Sequence, residues 1–212
     1  MGTISKGILG GFSGKVGTVV GGSWKGIDYM RSKGNKRNNN PSEAQLAQQL
    51  KFALAIKFVT SMTGLLSLTF NRYAVKKTGV NSCLSYTLKN AITGIYPLYA
   101  LSFPDVLVSR GDLPNVLGPT IVMGAGGLLA FSWTDNTGVG DARATDKAIL
   151  VAYCADLNQS VYSTGSAQRD ALTDSLNLAA FTGKEVQTYI GFISESGLSV
   201  ASSTYTGAAM VL

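Results

Sequence analysis

Residues 183–194 read GKEVQTYIGFIS, and the reading of that stretch decides the fold. Val186, Thr188, Ile190 and Phe192 fall on one side of an extended chain, while Tyr189 and Ile193 fall on the other, the period of two that a strand imposes. Gly183 stands six residues before Tyr189, a setting that resembles the tyrosine corner of sandwich domains. Outward from this strand, further runs rich in β-formers and spaced by turn residues occupy 120–124, 128–133, 147–154, 159–163, 171–178 and 200–211. Seven short strands at that spacing predict an antiparallel β-sandwich of immunoglobulin or fibronectin type over residues 119–212. Trp133 and Tyr189 read as packing residues of its core.

Upstream the pattern changes. Pro97, Pro104, Pro114 and Pro119 put four of the five prolines between residues 95 and 119. Because the residue before a proline avoids the helical region, 95–118 is expected to be an extended connection between domains, with an edge strand at 106–109. Before it, Asn40, Pro41 and Glu43 form a box-like helix start. Leu46, Leu50, Leu54 and Phe58 follow at near-helical spacing, predicting a helix to about Thr60. Gly64 marks a break, and further helical segments are expected at 65–76 and 82–93. Residues 34–40, GNKRNNN, read as a polar basic loop. Residues 1–36 are a glycine-rich β arm in which Gly21-Gly22, between two runs of β-formers, signals a hairpin turn. The expected fold class is α+β: an N-terminal β-hairpin plus a helical segment over 1–118, then the sandwich over 119–212.

The chain of 212 residues is 45% hydrophobic and 14% charged, which excludes a disordered protein. Its net charge of +6 is unevenly placed: residues 1–115 hold 14 Lys and Arg against 4 acids, and residues 116–212 hold 4 against 8. Such a split favours an acidic partner for the first half or head-to-tail attraction between subunits. Histidine is absent and the two cysteines, Cys83 and Cys154, stand far apart, so no zinc site and no disulfide framework is expected. No apolar run has the length of a membrane-spanning helix, and the N-terminus lacks the apolar core of a signal peptide, which implies cytoplasmic synthesis.

No catalytic constellation is legible. In GILGGFSGKVGT the places where a phosphate-binding loop needs Gly and Ser or Thr hold Leu9 and Val16, so the glycines are expected to serve tight turns or close backbone packing. Asp135, Asp141 and Asp146 lie in DNTGVGDARATD without the spacing of a calcium loop, and a solvated loop is the expectation. Arg110-Gly111-Asp112 is an integrin-type tripeptide in ordinary turn chemistry. A serine nucleophile would need a base that no motif supplies. No enzyme activity, cofactor, metal or small-molecule substrate is therefore expected. Lys25, Arg31, Lys33, Lys36 and Arg37, interleaved with Trp24 and Tyr29, compose a basic, aromatic segment suited to phosphates and stacked bases; the competing reading is a solvated basic loop.

The stretches GGFSGKVGTVVGGSWKGIDYMRS, NPSEAQLAQQLKF, AITGIYP, FPDVLVSRGDLP, FSWTDNTG and GKEVQTYIGFIS resemble an uncharacterised family of Bacteroidota proteins of about this length. The resemblance implies the two-part layout and neither an activity nor site residues. The function expected from the residues is a non-catalytic structural subunit that self-assembles into a filament, tube or virion coat. Val16, Val19, Val20, Trp24 and Tyr29 of the arm are its candidate assembly residues, since such an arm can add a strand to a neighbour's sheet edge. Two alternatives stand beside it: a nucleic-acid binder using residues 24–37, and a sandwich module binding a glycan or protein. The expected partners are copies of the same chain, with nucleic acid as the alternative.

Overall fold

In the computed structural model, residues 2–4, 7, 10–34, 40–74 and 76–212 are described. Contacts divide the chain into two compact units, Met1–Glu43 and Ala44–Leu212. The first is an antiparallel sheet of β1 (Thr3–Ile4), β2 (Phe12–Val16), β3 (Val19–Trp24) and β4 (Ile27–Ser32), paired in chain order. Four strands thus stand where a hairpin was expected. Gly21-Gly22 does not turn the chain but lies within β3, opposite Met30 and Tyr29. The turn is Lys25-Gly26, both at positive φ (51° and 81°), the backbone that closes a two-residue hairpin loop with the right twist.

The second unit begins with three helices, α1 (Glu43–Ser61), α2 (Thr63–Thr69) and α3 (Gly79–Asn90). The α3 start lies three residues earlier than expected because Thr78 caps it, its hydroxyl accepting the Asn81 N–H at 3.2 Å. Along α1 only Ala55, Phe58 and Val59 are buried, and Leu50, placed by periodicity on the core face, is 40% exposed. Two further strands, β5 (Ile92–Ile95) and β6 (Leu98–Leu101), make a hairpin around the cis Tyr96–Pro97 peptide, where an extended connection was expected.

The seven expected sandwich strands are all present: β7 (Leu117–Met123), β8 (Leu128–Thr134), β9 (Lys147–Cys154), β10 (Gln159–Gln168), β11 (Thr173–Asn177), β12 (Glu185–Ile193) and β13 (Thr204–Met210). They form an antiparallel four-stranded sheet, β10-β9-β12-β13, and a three-stranded sheet, β11-β8-β7. Between the sheets lie Leu129, Phe131, Trp133, Leu150, Ile190 and Phe192, the alternating inward residues of a fibronectin-like sandwich.

The opposite face of the four-stranded sheet is covered too. Ile149, Val151 and Tyr153 of β9, with Tyr189 and Ile193 of β12, share a second core with Phe58, Leu65, Leu66 and Phe70 of the helical segment. Phe58 meets Tyr153 edge to face, ring centroids 4.9 Å apart. This double burial corrects three expectations. The boundary at residue 118 falls inside one unit, because the helices and the sandwich complete a common core. The 106–113 segment is no free connection either: Val106 and Val108 belong to the helical core, Leu113 to the sandwich core, and the Ser109 hydroxyl donates to Ala201 O at 2.8 Å. Tyr189 likewise forms no tyrosine corner. It points outward into the helical layer, where its hydroxyl donates to Phe103 O at 3.0 Å.

Candidate assembly surface

Strand pairing sorts the N-terminal side chains between two faces, since residues directly opposite each other share a face. Val20 pairs with Lys15 and Arg31, Gly22 with Tyr29, and Trp24 with Ile27. One face therefore carries Val20, Trp24, Ile27 and Tyr29, bordered by the cations Lys15 and Arg31. On the other, Val16 pairs with Val19 and Gly21 with Met30. The five candidate assembly residues are thus split: Val20, Trp24 and Tyr29 stand together, and Val16 and Val19 lie behind them.

Glycine makes this sheet thin enough to form. A Cβ on Gly21 would lie 2.1 Å from Phe12 O in the adjacent strand, and one on Gly22 would lie 3.0 Å from the Tyr29 hydroxyl. Phe12 and Tyr29 therefore lie across the glycines, one on each face. The larger apolar side chains remain open to solvent: Trp24 is 57% exposed, Ile27 70%, Tyr29 47% and Met30 71%. A single sheet layer with open apolar faces has no core of its own.

The proposed nucleic-acid residues are only partly brought together. Arg31 shares the face of Trp24 and Tyr29; Lys25 occupies the hairpin turn; Lys33 follows β4, its N–H donating to Thr18 O at 2.7 Å. Lys36 and Arg37 lie outside the described residues. Sequence reading missed Ile27 and Met30 as surface residues. The available signal was IDYMRS, which places apolar side chains at both strand parities and so cannot be a strand with one buried face.

Other sequence features are accounted for by packing. Asp146, expected in a solvated loop, is fully buried, and Arg169 Nη2 meets its Oδ2 at 3.1 Å. Burial pulls the Arg169 pKa below its ordinary range, an effect the neighbouring Asp146 carboxylate opposes. Asp135 is exposed, and hydrogen bonds from Thr137 hold its carboxyl below the usual range. Among the described residues no group of three or more His, Cys, Asp or Glu is placed to hold a metal ion. The tripeptide at 110–112 is woven into the fold: Asp112 pairs with Arg72 at 3.2 Å, and a Cβ on Gly111 would lie 1.9 Å from Val200 O. Both cysteines are free and buried, and burial pushes the Cys83 thiol up to about 12, so it stays protonated and unreactive. Among the described residues no single helix is long and apolar enough to cross a membrane; α1 and α2 pass that test only as a pair, and they are bent by 87°.

The sequence model of a family of unknown function (DUF6266) matches residues 11–207. No curated protein sequence matches the chain. Among solved structures, the fn3 domain of the human collagen alpha-1(XX) chain is similar at 15% identity and a TM-score of 0.33, covering 49% of this chain and 90% of that one.

Proposed function

From the premise that the chain belongs to the family of unknown function DUF6266, we propose that it is a non-catalytic structural subunit that assembles with further copies of itself through its N-terminal sheet. The observation that carries this reading is the sheet's open apolar surface. Burying one side chain of the Trp24, Ile27 or Met30 kind is worth about 1.5–3 kcal/mol, and a layer that lacks a core gains stability from whatever covers it. Charge supports a second copy as that cover. Residues 1–43 hold seven Lys and Arg against two acids, while residues 116–212 hold four against eight, so head-to-tail contact is electrostatically favoured. A contact between unlike surfaces propagates into a ring or an open helix.

Light scattering on the full chain, with negative-stain images, tests this. Ordered particles should form, and Trp24→Ser combined with Ile27→Ser should reduce them to single chains that keep a folded sandwich. A 22.2 kDa species at high concentration in the unaltered protein would overturn the reading.

The face shared by Trp24, Tyr29, Lys15 and Arg31 favours a second reading, a platform for single-stranded nucleic acid. It predicts binding that weakens steeply with salt and is lost on Trp24→Ser, with no particle in the absence of nucleic acid.

A further inference from the structure

A pocket of about 290 Å³ opens on the outer side of α3, between that helix and the 106–113 segment, far in sequence from the N-terminal sheet. Ser82, Ser85, Tyr86 and Lys89 line it from one side; spaced three, four and seven residues apart, they fall on a single helical face. Lys77, from the turn before α3, and Arg110 complete the wall. Three basic residues therefore line one pocket whose other polar lining comprises hydroxyls and the amide of Asn90, with no carboxylate among the described lining residues.

The walls are held in place. The Arg110 guanidinium lies 5.4 Å from the Tyr86 ring centroid, and the Arg110 N–H donates to Thr69 O at 3.4 Å. Asn90 Nδ2 donates to Tyr86 O at 2.9 Å. Ser82 is 4% exposed, so it forms the floor.

We infer that this pocket binds a phosphate group. Guanidinium and ammonium groups with hydroxyls around them offer donors from several directions, which a tetrahedral oxyanion accepts together. Three cations also match the roughly −1.5 to −2 charge of a phosphate monoester better than the single charge of a carboxylate. Neutralising like charges gathered at one site gives the ligand a further advantage. The phosphate is either that of a small phosphorylated molecule or one in a single-stranded nucleic-acid backbone. The site is independent of the N-terminal sheet and goes beyond the assembly reading.

Equilibrium dialysis of the full-length protein with radiolabelled inorganic phosphate tests the inference, in parallel with anisotropy of a fluorescent oligothymidylate. Phosphate should be retained at one site per chain. Binding should weaken by about tenfold for each cation removed in Lys89→Gln/Arg110→Gln and in Lys77→Gln/Lys89→Gln, the second pair sparing the Tyr86 stack. Lys57→Gln, exposed on α1, should change nothing. Oligothymidylate binding lost in the same variants identifies a nucleic-acid source, and phosphate binding alone identifies a small molecule. No retention of phosphate, or retention unchanged in both double variants, overturns the inference.

Discussion

Arg169 is a fully buried cation whose partners come from four separate stretches of chain. Its Nε and Nη2 donate to Asp146 Oδ2, each at 3.1 Å, its Nη1 to Asn136 Oδ1 at 2.6 Å, and its Nη2 also to Pro114 O at 3.2 Å. The guanidinium lies 3.9 Å from the Phe192 ring centroid, and the Arg169 carbonyl accepts the Trp133 indole N–H at 2.7 Å. Removing one member of such a pair leaves an uncompensated buried charge. Asp146→Ala should therefore cost about 3–5 kcal/mol. Asp156→Ala, which breaks the exposed pair with Lys184 at 3.3 Å, should cost less than about 1 kcal/mol. Urea denaturation of both variants checks this; equal losses would show that the buried pair adds nothing particular. The pair was not legible in the sequence, because Asp146 sits in a run of polar residues and nothing local marks Arg169 as its partner 23 residues on.

Single elements show where local pattern succeeds and where it misleads. The alternation in 185–193 identified β12, and the turn residues between runs identified its neighbours. In β3 the same logic misplaced the turn. Gly21-Gly22 matched a hairpin signal, yet its glycines serve close approach of Phe12 from β2 and Tyr29 from β4 rather than reversal of the chain. At Gly21 the obstacle to a side chain is backbone, Phe12 O, which cannot swing aside. Gly21→Ala should destabilise the N-terminal unit by about 1–3 kcal/mol and remove amide-exchange protection from β2 and β3. Gly34, with open space around its Cα and no left-handed φ, should accept alanine without change. Hydrogen exchange read by mass spectrometry separates the two; preserved protection in Gly21→Ala would refute the role given to that glycine.

At the scale of the molecule, the unit Ala44–Leu212 is three layers: a three-stranded sheet, a four-stranded sheet and a cover of helices. The middle layer is buried on both sides, with every residue from Ala148 to Cys154 and from Val186 to Ile193 buried. A chain trimmed to residues 112–212 keeps all seven sandwich strands but uncovers Ile149, Val151, Tyr153 and Tyr189, and it leaves the Tyr189 hydroxyl without Phe103 O. It should bind a hydrophobic dye and aggregate on refolding. A monomeric, cooperatively folding fragment without dye binding would show that the sandwich is self-sufficient.

The sequence by itself determined the seven strands, the order of helical and β segments and the basic, aromatic character of residues 24–33. Each of these rests on neighbours in the chain: period, turn residues, capping, local charge. Only the tertiary structure decided that AILVAYC at 148–154 is a strand covered on both faces. A continuous apolar run and a half-buried strand differ in what packs outside them, and here that is α1 and α2, some hundred residues earlier. For the same reason it alone decided that Tyr189 faces helices and that Arg169 meets Asp146. It also brought Arg110 onto the face of α3 that carries Tyr86 and Lys89. Contacts between distant segments depend on which surfaces remain uncovered after local structure has formed, and no local pattern records that.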